Sequence, residues 1–168
     1  DDVRRLVWTP AVTLAVVFGL ASVPWTYTFV TGGVPLWPAF IASAGFYAAG
    51  GGVDGLLRAT PNYFAGIIYA AATLAITDAL GGGVLVLSVV VGAFMLLGSL
   101  HALVDSLEFT PAVFLGYATL FSVDADGAVV FGLGGLAGET VAASLSMGVG
   151  ALIGLATEWV ADYFASQP

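Results

Sequence analysis

From Val84 to Leu100 the chain runs VLVLSVVVGAFMLLGSL, without one charged side chain. A helix with apolar residues on every face has no side to turn toward water. About 20 predominantly apolar residues are needed to cross the hydrocarbon of a bilayer, and the span read here, Val84 to Val104, supplies them. The remainder of the chain agrees. Apolar residues make up 60% of it and charged residues 8%, against roughly 25% charged in a soluble domain. The expected class is an all-α integral membrane protein: one membrane domain over residues 1–168, multi-pass in the cell membrane, with the lipid bilayer as its first partner.

Five further segments are expected around this span. The first runs from about Leu6 to Val30, with Arg4 and Arg5 before it and Trp8 at its start. Pro24 should kink or end it, and Trp25 and Tyr27 suit the membrane interface. The second, Trp37 to Ala49, is short, led by Pro38 and stopped by Gly50-Gly51-Gly52. The third is read from Pro61 to Ala79, with Thr60 as N-cap and proline at the first helical position; a start near Val53 with a kink at Pro61 is the other reading. After Gly81-Gly82-Gly83 comes the Val84 span, then a second short segment, Phe109 to Asp124, led by Pro111. The sixth runs from Thr140 to Phe164, with Trp159 and Tyr163 as interfacial anchors. The Gly-rich connection from Asp124 to Glu139 reads as a loop, a re-entrant piece or an early start of the last helix.

Cut at the second glycine triplet, the chain becomes two halves, about 6–80 and 84–164, each reading long, short, long. With Phe40 laid on Phe114, Ile41 falls on Leu115, Ala44 on Ala118 and Tyr47 on Phe121. A three-span unit duplicated in tandem inserts in opposite orientations, which is the inverted-repeat plan of many transporters. Six helices as two inverted three-helix repeats, the second and fifth short, is the expected architecture. The runs PLWPAFIASAGFYAAGGGVDGL and TPAVFLGYATLF, with Pro111, Phe114 and Gly116 in the second, resemble the YcdZ-like family of small inner-membrane proteins of unknown function. The resemblance implies fold and membrane location, and lends no activity.

Charge sets orientation. The chain has three Lys or Arg, all of them Arg, and eleven acids. Arg4 and Arg5 place the N-terminus inside by the positive-inside rule; six spans then put both termini in the cytoplasm and Arg58 in an inner loop. Acid excess without lysine is the pattern of proteins from salty cytoplasm, so a halophilic archaeon is the expected source. The sequence opens on Asp1 and not on Met, so further residues are expected to precede it, and no cleavable signal is read in its first apolar segment. With no cysteine and one histidine, neither a disulfide nor a metal cluster is expected. No lysine follows the glycine runs as a phosphate loop requires, so no nucleotide or other cofactor is expected, and no nucleic acid. No nucleophile–base set occurs, so the chain is not read as an enzyme.

The remaining polar residues carry the functional reading. Asp54, Arg58, Asp78, Asp105, Glu108, Asp124, Asp126, Glu139, Glu158 and Asp162 all fall at or near predicted helix ends. A centre without fixed charge suits a neutral or weakly acidic solute more than a voltage sensor or charge relay. Tyr47, Asn62, Tyr117 and Thr119 should turn inward, away from lipid, as pore lining or as hydrogen bonds between helices. Phe40, Phe114 and Phe121 could add an apolar constriction. His101 and Asp105, four apart on a helix, are a candidate pH-sensitive pair. Gly150 and Gly154, with Ser144 and Gly148, permit close helix contact within the bundle or between subunits of a homo-oligomer. The expected function is a small channel or facilitator for a small neutral or weakly acidic solute; the alternative is a structural or accessory membrane protein without transport.

Overall fold

The computed structural model describes residues 9–166. The expected start of the first segment at Leu6, with Arg4, Arg5 and Trp8, lies outside the described residues. Six helices carry the chain: α1 Pro10–Thr31, α2 Trp37–Ala48, α3 Gly52–Ala79, α4 Val84–Ser99, α5 Thr110–Asp126 and α6 Gly135–Ala165. The described residues contain no strand, only an isolated bridge between Val130 and Leu133. Three stretches are long and apolar enough to cross a membrane: α1, α4 with the turn that follows it (Val84–Leu103), and α6.

Several boundaries follow from local chemistry. Thr9 caps α1, its hydroxyl accepting from the Val12 amide at 3.3 Å, with Pro10 in the first turn. Pro24 does not end α1, which continues to Thr31. The Thr28 hydroxyl donates to the Pro24 carbonyl at 2.8 Å. Gly127, left-handed at φ 63°, closes α5. The connection to α6 is then a tight turn through Phe131 and Gly132, and α6 starts at Gly135, the earliest of the readings for that stretch.

Of the two readings for the start of α3, the structure takes the one near Val53. The helix begins at Gly52, with Pro61 inside it, and not at Thr60–Pro61. Its cap comes from far along the chain: the Gly52 amide donates to Glu158 Oε2 at 2.6 Å. An acidic side chain against helix-terminal amides is favoured by charge and by hydrogen bonding. Gly51, at φ +69°, sits against the same carboxylate, where a Cβ would collide with it. Glu158→Gln is expected to lose about 1 kcal/mol, seen as a fall of about 2–4 °C in the thermal unfolding midpoint in detergent; an unchanged midpoint would remove this cap from the account.

α3 packs most closely on α5, and α2 on α6, while α3 and α6 also meet each other; α1 lies against α6 and α4 against α3. The centre is filled by side chains: Phe46, Tyr63, Ile67, Leu120 and Met147 are fully buried, with Ala42 and Ala151 between them. Tyr63 donates its hydroxyl to the Ala42 carbonyl at 2.8 Å, so even this polar atom is satisfied inside the core. Glycines let the backbones touch. A Cβ on Gly66 of α3 would run into the Val113 carbonyl of α5, and one on Gly150 of α6 into the Ala39 carbonyl of α2. The outer faces are apolar, with Leu20, Val84 and Leu85 largely exposed.

The short helices are short in the measured sense. α2 has 12 residues and α5 has 17; at about 1.5 Å per residue they span about 18 and 25 Å, less than the about 30 Å hydrocarbon core.

Candidate functional site

The polar residues gather most densely where α4 gives out. The helix stops at Ser99 and the chain continues as a 3-10 turn, Leu100–Leu103, that turns His101 inward to 5% exposure. There Tyr69 Oη lies 2.7 Å from His101 Nε2, and His101 Nδ1 lies 3.2 Å from Asn62 Oδ1. The Asn62 amide donates to the Arg58 carbonyl at 2.9 Å. These contacts fix the roles. Because the Asn62 amide nitrogen donates to a carbonyl, its Oδ1 is the acceptor facing the ring, so His101 Nδ1 carries the hydrogen. In the neutral imidazole, Nε2 then accepts from the Tyr69 hydroxyl. The result is a closed line of donors and acceptors, Tyr69 to His101 to Asn62 to Arg58 C=O.

α3 supplies three members of this line from one face: Arg58, Asn62 and Tyr69 are spaced by four and then seven, which stacks them along a helix. Phe94 of α4 stacks on Tyr69 with ring centroids 5.5 Å apart. One turn toward the start of α3, Arg58 pairs with Glu108 at 2.9 Å, both side chains half exposed, and lies 5.4 Å from the Phe109 ring. The polar line therefore runs from a half-exposed ion pair through the buried Asn62 and His101 to the half-buried Tyr69.

The His101–Asp105 pair expected from helical spacing is not formed. It required α4 to continue, but the helix ends at Ser99, both ring nitrogens bond elsewhere, and Asp105 is exposed in the next turn. Nor do the candidate lining residues share one space. The Tyr47 hydroxyl meets Thr157 at 3.0 Å between α2 and α6. The Tyr117 hydroxyl meets Thr73 at 2.8 Å between α3 and α5, and its ring stacks on Phe121 at 5.0 Å. Thr119 is fully buried, with a hydroxyl that has no partner. Phe40 and Phe114 are 37% and 39% exposed. Phe40 stacks on Trp25 of α1 at 4.5 Å, and Phe114 lies beside Gly98 of α4. Both phenylalanines thus pack against outer helices and not across the centre between α2 and α5. Two pairs of these candidates come together, Asn62 with His101 by a hydrogen bond and Tyr117 with Phe121 by ring stacking.

Sequence reasoning missed Tyr69. Its signal was present: it stands seven residues beyond Asn62, two helical turns along the same face of α3.

A helical bundle with helices long and apolar enough to span a membrane, and with a buried histidine line at one helix break, is the class these observations define. Its family is uncharacterised: over residues 15–162 the chain matches the model described as protein of unknown function (DUF1097), and it belongs to that family. No similar curated protein and no similar solved structure was found.

Proposed function

We propose that this protein is a membrane facilitator for a small neutral or weakly acidic solute, with the Tyr69–His101–Asn62 line as the polar part of its path. The observation that carries the reading is the buried histidine itself. An ionisable side chain within a membrane-spanning region is costly and functional by default, and here the chain gives up helical structure at Ser99 to place one. Interrupted helices are where transporters put solute-binding groups. The path is closed in this conformation, since the centre is packed.

Two inverted three-helix repeats are part of the same reading, and three spacings support it. Ala39 and Val113, the residues touched by Gly150 and Gly66, each stand one position before the superposed Phe40 and Phe114. Thr157 and Thr73, the partners of Tyr47 and Tyr117, each stand seven beyond those glycines (150 to 157, 66 to 73). Four residues before them stand Ser146, bonded to the Pro35 carbonyl, and Asn62 (150 to 146, 66 to 62). We place both termini in the cytoplasm, the chain as a homo-oligomer in the cell membrane of a halophile, and its likeness to the YcdZ-like proteins within this reading. Single cysteines at Leu80 and at Ser166 should then label from opposite sides of the membrane; labelling from one side would contradict three spans between them, and with it the six-span plan.

A second reading, a structural or accessory membrane protein, is favoured by one observation: the centre is packed, with Phe46, Tyr63 and Leu120 fully buried and Tyr63 reaching from α3 to the Ala42 carbonyl of α2. Solute-driven swelling of proteoliposomes separates the two. Entry of urea, glycerol or a short carboxylic acid faster than into protein-free vesicles supports the facilitator, and equal rates support the accessory role.

A further inference from the structure

His101 is the one histidine of the chain. With hydrogen on Nδ1, donated to Asn62, its basic nitrogen is Nε2, and the Tyr69 hydroxyl covers that nitrogen at 2.7 Å. Asn62 is fully buried, and its amide is held by the Arg58 carbonyl. Tyr69 is half-buried, so it is the member of the line with room to yield to an arriving molecule. A proton added at Nε2 turns an acceptor into a donor and displaces the hydrogen that Tyr69 gives there.

No opposite charge waits for that proton. The elements around the ring carry Asp54, Arg58 and Asp78 on α3, Asp105 and Glu108 after the break, and Asp124 and Asp126 at the other end of α5; α4 carries none. Arg58 is held by Glu108, Asp105 is exposed, and among the described residues no carboxylate pairs with the ring. Tyr63 and Tyr117 are bonded to the Ala42 carbonyl and to Thr73. An imidazolium alone here is a buried charge without a partner, and so is an anion alone; each is costly. Arriving together they cancel, and each raises the affinity for the other.

We propose that His101 and Tyr69 bind a small carboxylic acid as a carboxylate together with its own proton; this names the solute of the facilitator reading, on which the inference rests. The carboxyl O–H bond breaks and leaves its electron pair on oxygen, and the proton forms the new N–H bond at Nε2. One carboxylate oxygen then accepts from Nε2–H and the other from the Tyr69 hydroxyl, released from the ring. Site and solute together stay neutral. Urea and glycerol bring neither the proton nor the counter-charge.

Nitrogen NMR of the full chain in lipid, with heavy nitrogen in histidine only, reads this one imidazole. In sodium chloride at neutral pH the ring should be neutral, with hydrogen on Nδ1 and a bare Nε2. In a pH titration, saturating acetate should make the ring bind its proton at least about tenfold more tightly than sodium chloride of equal ionic strength does. Urea and glycerol should leave the titration unchanged. Tyr69→Phe, which removes one of the two donors, should reduce the acetate-to-chloride ratio; the wild type alone decides the matter. A wild-type ratio near one overturns the proposal, and leaves the facilitator reading standing if vesicles still pass urea. A ring that carries both hydrogens in chloride at neutral pH overturns it as well. A tenfold ratio in a protein through which no solute passes upholds the acid site and removes the facilitator reading alone.

Discussion

Gly66→Ala and Gly150→Ala are each expected to destabilise the bundle by about 2 kcal/mol or more. At both positions the obstacle to a Cβ is a backbone carbonyl, Val113 on α5 or Ala39 on α2, and not the movable tip of a side chain. Overpacking of this kind costs about 3 kcal/mol at the upper end of its usual range, offset by about 1 kcal/mol from replacing a helical glycine. Gly148 provides the control. It also lies within α6, but its Cβ would meet only Phe64 Cζ at 3.6 Å, an ordinary contact. Gly148→Ala should therefore be neutral or stabilising by up to about 1 kcal/mol. Unfolding of the three variants in one detergent, against the wild type, checks the ranking. If Gly66→Ala behaved like Gly148→Ala, α3 and α5 would not be in backbone contact. Losses of similar size at Gly66 and Gly150 are what mirrored halves require.

His101→Ala is expected to have the other large effect, because it orphans two groups at once, one fully buried and one half-buried. The Asn62 Oδ1 loses its donor and the Tyr69 hydroxyl its acceptor. Each unsatisfied group costs about 1–3 kcal/mol. Replacing the whole line by apolar side chains of similar shape removes the unmet demand along with the bonds, and such replacements are often close to neutral. The triple variant Asn62→Leu, Tyr69→Phe, His101→Phe should then be more stable than His101→Ala alone. Unfolding midpoints decide this. If the triple variant were the weaker of the two, the polar line would contribute to stability beyond satisfying itself.

Much of the helical plan was legible in the sequence because membrane segments announce themselves by length and apolarity. The short α2 was read as Trp37–Ala49 and forms Trp37–Ala48; α5 was read from Phe109 and starts at Thr110. Both are fixed by a local proline, a signal that needs no distant partner. The start of α3 was left open between Pro61 and Val53, and the helix takes the second, at Gly52; its cap, Glu158, is 106 residues away, and no window of sequence around Gly52 contains it. His101 was singled out as the one histidine, but its partner was misassigned. The spacing argument assumed a helix through Asp105, and the break at Ser99 replaced that neighbour with side chains from α3. Phe40 and Phe114, paired by the internal echo, were aimed at the centre and pack instead against outer helices. An alignment of two halves says which residues correspond and nothing about which way either one faces.

The facilitator reading rests most directly on flux through the protein in lipid. Wild-type protein and the Asn62→Leu, Tyr69→Phe, His101→Phe variant, reconstituted to equal content, would be compared with protein-free vesicles by light scattering after an osmotic jump in urea, glycerol or acetate. The account predicts that wild-type vesicles equilibrate faster than empty ones and that the triple variant, still folded, returns to the empty rate. A wild type no faster than empty vesicles, or a triple variant as fast as the wild type, would contradict it.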